Sequence, residues 1–287
     1  MLDLFWYSTA VVYSKVYGFF HDHFGVGLPK LGYFVGKIRK ERSINVRGIK
    51  FWFTPSLPSS YGRMLGGDFN ENETHVFLER ILSGLSSVDL FVDVGSNIGE
   101  FVIAMGTNGR IIRVIGFEPN GECVRASRRS AELNKLSNVR VVQKLLSDSS
   151  GKRAFNTQSN GANAHSLFDT DASEKQMVEC STLDAELQNV RGTAIILIDV
   201  EGAETLVMRG GERFLTECKP LVIFEYNFVS KRHFALDDVK RILPAGYRIF
   251  RLRGDGCLDS NFEQSWNCVA VHDASPFWPV AEKSIVS

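Results

Sequence analysis

Residues 88–100 read VDLFVDVGSNIGE, from Val88 to Glu100, and this stretch decides the fold. Val88–Val94 is apolar at nearly every position, the mark of a strand buried on both faces of a sheet. It runs into Gly95 and Gly99, four residues apart, and a helical pattern follows over Ile98–Met105. Strand, glycine turn and helix then recur downstream. Arg110–Phe117 (RIIRVIGF) predicts a second strand, Gly121–Asn134 a helix and Val139–Leu146 a third strand. Short strands are expected at Arg153–Asn156 and Met177–Cys180, with a polar loop over 157–166 between them. Ala194–Asp199 (AIILID), a helix from Ala203 to about Glu217, Leu221–Glu225 (LVIFE) and a helix at Leu236–Leu243 continue the series. Tyr247–Leu252 and Cys268–His272 close it. Buried strands joined by helices make right-handed βαβ units. The expectation is an α/β, doubly wound, mostly parallel sheet with its ligand beyond the carboxyl ends of the strands. Upstream, Ile44–Thr54 alternates around Phe51, Trp52 and Phe53 and predicts a strand or hairpin capping that sheet. A helical and strand extension over 1–60 would then precede the main domain at 61–287.

The turn chemistry narrows the ligand. A dinucleotide fingerprint needs a middle glycine so that backbone can touch a pyrophosphate, and Asn97 stands there instead. The amides of Gly95, Ser96, Asn97 and Gly99, at a helix N-terminus, suit a smaller anion such as a carboxylate. Asp93 suits a cationic amine. Glu118 lies 23 residues past Gly95, near the offset of an acid that binds a ribose diol, with Pro119 after it. Capping of the following helix is the plainer role for that acid. Ser147 and Asp148, after the third strand, can meet an adenine edge. Amino acid, ribose and base sites side by side add up to S-adenosylmethionine, and a nicotinamide cofactor fits poorly.

With DVGSNIG, FEPN, LLSD, IDVEGAE at 198–204 and a strand ending IFEY, the chain resembles the FkbM family of S-adenosylmethionine-dependent methyltransferases over residues 44–272. The resemblance implies a class I, Rossmann-like fold and O-methylation of hydroxyls on sugars or secondary metabolites. It also implies that Asp93, Gly95, Asn97 and Gly99 hold the methionine moiety, Glu118 the ribose, and Ser147 and Asp148 the adenine surroundings. One departure stands out. The family usually has a lysine two residues before the Asp of IDVEG, and this chain has Leu197.

A neutral alcohol must lose a proton as it attacks, so a base or a cation that lowers its pKa is needed. Asp199, Glu201, Glu225 and His165 are the candidates, with Asp199 favoured as base or substrate anchor. Glu204, like Glu201, also fits a plain helix-capping role. Several carboxylates at one strand end could hold a divalent cation, although no metal site is expected.

Thirty-three basic residues balance thirty-three acidic ones, which removes the field that a nucleic-acid coat needs. Five scattered cysteines form no metal or disulfide pattern and read as reduced thiols in the cytoplasm. Basic runs such as Arg39–Arg42 read as solvated helix faces. The N-terminus departs most from average composition, with ten of 32 aromatic residues in the first 34 positions. Its longest uncharged run, Leu4–Ser14, is too short to span a bilayer, and Asp3 ahead of it argues against a secretory leader. Leu2, Phe5, Val12, Val16 and Phe19 follow helical spacing. The expectation is that this helix packs on the main domain. Residues 1–36 otherwise serve peripheral membrane or protein docking, the route by which a non-catalytic adaptor would work. An acceptor nitrogen, or a glycan on a larger carrier, are the alternatives that keep the fold.

Overall fold

A computed structural model describes residues 2–24, 31–156, 175–263 and 265–286. Helix α1 (Leu2–Phe24) and the short α2 (Leu31–Val35) lead into a hairpin, β1 (Arg42–Val46) and β2 (Ile49–Phe53). Its two turn residues, Arg47 and Gly48, both have positive φ, as a tight turn between twisted strands requires. The RKER run therefore sits at the entry to β1 and not on a helix. Helix α3 (Asn72–Ser83) precedes the first sheet strand.

The βαβ series then follows as β3 (Val88–Val94), α4 (Glu100–Thr107), β4 (Ile111–Phe117), α5 (Gly121–Leu133) and β5 (Val139–Val142). After it come β6 (Leu145–Leu146), β7 (Gly151–Asn156), β8 (Lys175–Ser181), α6 (Leu183–Glu186), β9 (Ala194–Ile198), α7 (Glu204–Arg209) and α8 (Glu212–Cys218). The chain ends with β10 (Leu221–Glu225), α9 (Leu236–Ile242), β11 (Tyr247–Leu252), β12 (Leu258–Asp259), β13 (Asn267–His272) and α10 (Trp278–Ala281).

Eight strands form one sheet in the order β12-β11-β13-β10-β9-β3-β4-β5. The pairs from β10 through β5 are parallel, whereas β13 runs antiparallel between β10 and β11. The doubly wound, mostly parallel sheet expected from the apolar runs is present. Strand order reverses beside β3, so β3 and β9 flank the crevice where such folds bind ligands.

Two expected elements divide. The third strand breaks at Gln143–Lys144, and β6 joins β7 and β8 in a separate three-stranded sheet. The helix expected from Ala203 to Glu217 is α7 and α8, separated at Gly210–Gly211. A Cβ on Gly210 would come within 2.0 Å of the Ser147 carbonyl oxygen, so this break is where the loop after β6 passes close by.

One apolar core runs from Ala10 and Val35 through Phe51, Phe53, Tyr61 and Met64 to α3, α4 and Phe277 on one face of the sheet. A second core, with Val92, Ile196, Phe214 and Phe224, fills the other face. The N-terminal segment and the sheet therefore share a core. Helix α1 packs through a face other than the Leu2–Phe19 stripe. Ala10 and Ser14 are buried, and Trp6, Tyr13 and Tyr17 lean on the core at i, i+7 and i+11. Ser14 Oγ donates to the Gly62 carbonyl at 2.8 Å. Gly66 permits this approach, since a Cβ there would lie 2.7 Å from Ser14 Oγ. Leu2, Phe5, Val12, Val16 and Phe19 are instead exposed. Apolar spacing located the helix but could not tell its docked side, because α1 carries aromatic residues on both.

Candidate functional site

Register brings the site together. Val142, Phe117, Val94, Ile198 and Phe224 form one rung across five parallel strands. The residues that follow them are Gln143, Glu118, Gly95, Asp199 and Glu225. Three of these five are acids, all at the carboxyl edge. Gly95, Glu118 and Asp199 open onto a cleft of about 690 Å³, open solvent included, lined also by Asn97, Pro119, Lys144, Phe155 and Glu201 among others.

The turn after β3 is built by close approach. Gly95 has φ +87°, and a Cβ on it would lie 1.8 Å from the Asp199 carbonyl oxygen. Only glycine lets β3 and β9 meet at this point. Gly95 and Ser96 donate backbone N–H bonds to the Phe117 carbonyl at 2.9 and 3.1 Å. Asn97, with φ +46°, donates its N–H to Glu118 Oε2 at 2.8 Å, while Asn120 N–H reaches Glu118 Oε1 at 2.8 Å. A carboxylate offers about four lone-pair directions, so each Glu118 oxygen keeps one acceptor position. Burial pushes the Glu118 carboxyl up to about 7, against the pull of those two amides. Ser60 Oγ donates to Asn97 Oδ1 at 3.1 Å, tying the segment after the hairpin to this turn.

Asp93 is 1 % exposed and its Oδ2 has no hydrogen-bond partner. Burial, with Glu118 and Glu100 nearby, pushes it up to about 8. Leu197, opposite Asp93 in the β3–β9 register, is 3 % exposed. The position where the family usually has lysine thus supplies no cation beside this acid. The orphaned buried carboxylate oxygen of Asp93 matches the amino end of an amino acid, whereas the amides of Gly95, Ser96, Asn97 and Gly99, expected to meet its carboxylate, already donate to Phe117 O, Glu118 Oε2 and Ser96 O.

Asp199, Glu201 and Glu225 can each bring one carboxylate oxygen to within 4.8 Å of the others, close enough to share a cation. Burial and the neighbouring Glu225, Glu201 and Glu204 hold the Asp199 carboxyl well above the ordinary range. Burial together with Glu201 and Glu204 takes Glu225 to about 9. Glu225 receives hydrogen bonds from Asn227 Nδ2 at 2.5 Å and Ser230 Oγ at 3.3 Å. Glu201 sits at φ +52°, a conformation that costs a side chain about 1–2 kcal/mol. Such strain at the mouth of a cleft is where folds keep it for use. Glu204 does the capping work, accepting from Val200 N–H and Gly202 N–H through Oε1, while Oε2 is buried without a partner.

The expected residues do not all meet. Asp93, Gly95, Ser96, Asn97, Gly99, Glu118, Pro119, Asp199, Glu201 and Glu225 gather at this edge. Ser147 and Asp148 leave the cleft wall with β6. Ser147 N–H bonds to Ser181 O at 3.0 Å, and Asp148 pairs with Arg153 at 2.7 Å. Lys144, Leu145 and Phe155 line the wall in their place. His165 lies outside the described residues. Sequence reading also missed a buried support beneath α4. Glu100 accepts from Asn70 Nδ2 at 2.7 Å and meets His75 Nε2 at 3.2 Å, with the His75 ring stacked between Phe69 and Phe101. The one available signal was an acid opening the helix straight after Gly99.

A family model described as the Methyltransferase FkbM domain matches residues 93–249, more than half of the chain. The chain belongs to the FkbM methyltransferase family. The match covers every acid of the crevice from Asp93 to Glu225. No curated protein matches the chain. Among solved structures, the chain is similar to Methyltransferase FkbM from Methylobacillus flagellatus KT. The TM-score is 0.45 at 20% identity, over 66% of this chain and 44% of that one. The chain thus spans less than half of that relative. An rRNA methylase from Streptococcus thermophilus gives 0.41 at 10% identity, over 70% of this chain and 95% of that one. M. jannaschii TYW2, in complex with AdoMet, gives 0.40 at 11% identity, over 81% and 84%.

Proposed function

We propose that this methyltransferase uses S-adenosylmethionine to methylate a hydroxyl oxygen, on a sugar or a secondary metabolite. What carries the reading is continuity. One cleft joins the Gly95–Asn97 turn and Glu118 to Asp199 and Glu201. Asp93 receives an ammonium, and Glu118 keeps acceptor positions for a diol. When bound, the cofactor supplies a sulfonium-activated methyl, so the protein must chiefly align the acceptor and remove its proton.

Asp199 is the base. An ordinary carboxylate is a weak proton acceptor at neutral pH, but like charges around Asp199 raise its proton affinity toward the useful range. Glu225, protonated at neutral pH with a value of about 9, tempers that repulsion and stays fixed by Asn227 and Ser230. Activity therefore rises with pH as Asp199 ionises, on a limb above the ordinary carboxylate range. For the acceptor, the exposed rings of Phe228 and Trp266 stand at the same edge, Trp266 beside Tyr226 through a 2.8 Å backbone bond. Aromatic faces of this kind suit the apolar face of a sugar ring.

Calorimetric titration with S-adenosylhomocysteine, with NADH as control, tests the cofactor. Binding of the former alone is expected, and binding of neither overturns the reading in favour of a non-catalytic adaptor. Labelled methyl transfer to hydroxyl, amine and carrier-linked glycan panels tests the acceptor. A second reading rests on the 4.8 Å grouping of Asp199, Glu201 and Glu225, which suits a divalent cation that lowers the hydroxyl pKa. Activity lost to a chelator and restored by Mg²⁺ selects it.

A further inference from the structure

The polar ends of the proposed cofactor are not equally served by the cleft. Asp93 Oδ2, buried without a partner, answers the ammonium, and Glu118 keeps acceptor positions for the ribose. The methionine carboxylate needs donors, and the amides of Gly95, Ser96, Asn97 and Gly99 are already committed. Of the residues that line the cleft, Asn97 and Lys144 carry side-chain N–H groups. Lys144 Nζ is held by Glu186 at 2.7 Å and follows β5, two strands away from the turn after β3. That leaves the Asn97 carboxamide, whose Nδ2 makes no hydrogen bond among the described residues.

Groups outside the turn set this carboxamide. Ser60 Oγ donates to Asn97 Oδ1 at 3.1 Å, and Cys123 Sγ donates to the same oxygen at 3.3 Å. Burial, with Glu118 and Glu122 nearby, pushes the Cys123 thiol up, so it stays a donor. Two donors fill both lone pairs of the oxygen, and the NH₂ is the part left to meet a ligand. The backbone agrees, because Asn97 sits at φ +46°, a region that asparagine enters more readily than most side chains.

Ser60 is itself fixed. Its N–H reaches the Leu57 carbonyl at 3.2 Å, and its carbonyl accepts from Asn70 Nδ2 at 3.0 Å. The same Nδ2 reaches Glu100 Oε2 at 2.7 Å. The 57–70 segment thus grips the turn at both ends, Asn97 through Ser60 and Glu100 through Asn70. It lies ahead of residues 93–249, the span of the family match.

We infer that Ser60 is a positioning residue, which holds the Asn97 carboxamide so that Nδ2 donates to the methionine carboxylate of the cofactor. This rests on the S-adenosylmethionine reading, and it gives the segment before the sheet a share in recognising the amino acid end. A purely structural Ser60 would affect every ligand of the cleft alike. A positioning Ser60 affects only ligands that carry the carboxylate.

Calorimetric titration of the full chain with S-adenosylhomocysteine and with 5′-methylthioadenosine separates the two, because the second ligand lacks the amino acid chain. Asn97→Gly keeps the left-handed backbone and its N–H while removing the carboxamide. It should weaken S-adenosylhomocysteine about 10- to 100-fold and leave methylthioadenosine within about twofold. Ser60→Ala should weaken S-adenosylhomocysteine about 3- to 10-fold with methylthioadenosine unchanged, and Ser60→Thr, which keeps the hydroxyl, should restore most of the loss. Retained methylthioadenosine affinity shows in the same titration that the variants are folded. Equal losses for both ligands in either variant, or an S-adenosylhomocysteine affinity untouched by Ser60→Ala, overturn the inference and leave the cofactor reading standing. Failure of the parent to bind either ligand overturns both.

Discussion

The carboxyl edge of the sheet and helix α1 break the same packing rule in opposite directions. At the sheet edge, acids are buried with few cations beside them. On α1, phenylalanine, leucine and valine face water. Each arrangement costs stability in the isolated protein, by desolvating charge in one place and exposing apolar surface in the other. The costs differ in how they are managed. The acids are wired in, with Glu118 held by two amides and Glu225 by Asn227 and Ser230. The apolar stripe is exposed, while its own helix is anchored from behind by Ser14 and Ala10. Substitutions at the edge should therefore propagate into cofactor binding and turnover, and substitutions on the stripe should stay local.

The largest effect is expected from Asp199→Asn, which removes the base and leaves the cleft wall in place. Methyl-transfer turnover should fall by about 100-fold or more, with S-adenosylhomocysteine affinity nearly unchanged by calorimetry. Retained turnover would show that Asp199 only anchors. Gly95→Ala sharpens the point. Its Cβ meets the Asp199 carbonyl and its backbone is left-handed, so affinity and turnover should fall together.

Glu118→Ala comes next. The lost charge-assisted hydrogen bonds to a ribose diol should weaken S-adenosylhomocysteine by about 10- to 100-fold. Glu118→Gln should recover part of this, because one oxygen still accepts from a backbone N–H. Unchanged affinity in the alanine variant would leave Glu118 a purely structural strap between Asn97 and Asn120.

Much of this edge was readable from the sequence, and the reason is local. Strands buried on both faces are written as unbroken apolar runs, so β3, β4, β9 and β10 end within about a residue of expectation, and the acids directly after them fall at the edge. What escaped depends on long-range contact. Ser147 and Asp148 swing away because β6 pairs with β8 and not β4. Lys144 and Phe155 enter the wall from elements with no motif. The Asn70–Glu100–His75 support joins residues 25 to 30 apart, and the docked face of α1 is chosen by Gly62–Gly66, far along the chain.

The edge also sets how stability depends on pH. Unfolded carboxylates titrate near 4, whereas folded Glu118 and Glu204 lie at about 7, Asp93 at about 8 and Glu225 at about 9. The folded chain thus holds more protons than the unfolded chain between these values. Its stability should decline as pH rises through 7 to 9. Glu41 and Glu122, held low first of all by Arg125, act in the opposite sense and lose their contribution in acid. The melting temperature should peak in mildly acidic solution, fall by pH 9, and fall less steeply in Glu225→Gln. A flat profile would mean that the acids share cations in solution, which a repeat melt in chelator would expose.

The smallest effect is expected on the outer face of α1, and it is informative because it is small. Val12 is 63 % exposed, so Val12→Ser should alter stability by no more than about 0.5 kcal/mol. Two residues earlier, Ala10 is fully buried in the core that runs on to Phe51 and Phe77. Ala10→Asp would bury a carboxylate with no partner built for it, and should cost several kcal/mol or lift the helix off the Gly62–Gly66 segment. Chemical denaturation of the two variants compares neighbouring turns of one helix. If Val12→Ser proves as damaging as Ala10→Asp, the outer face is covered in the folded protein, and its exposed apolar stripe has found a protein partner.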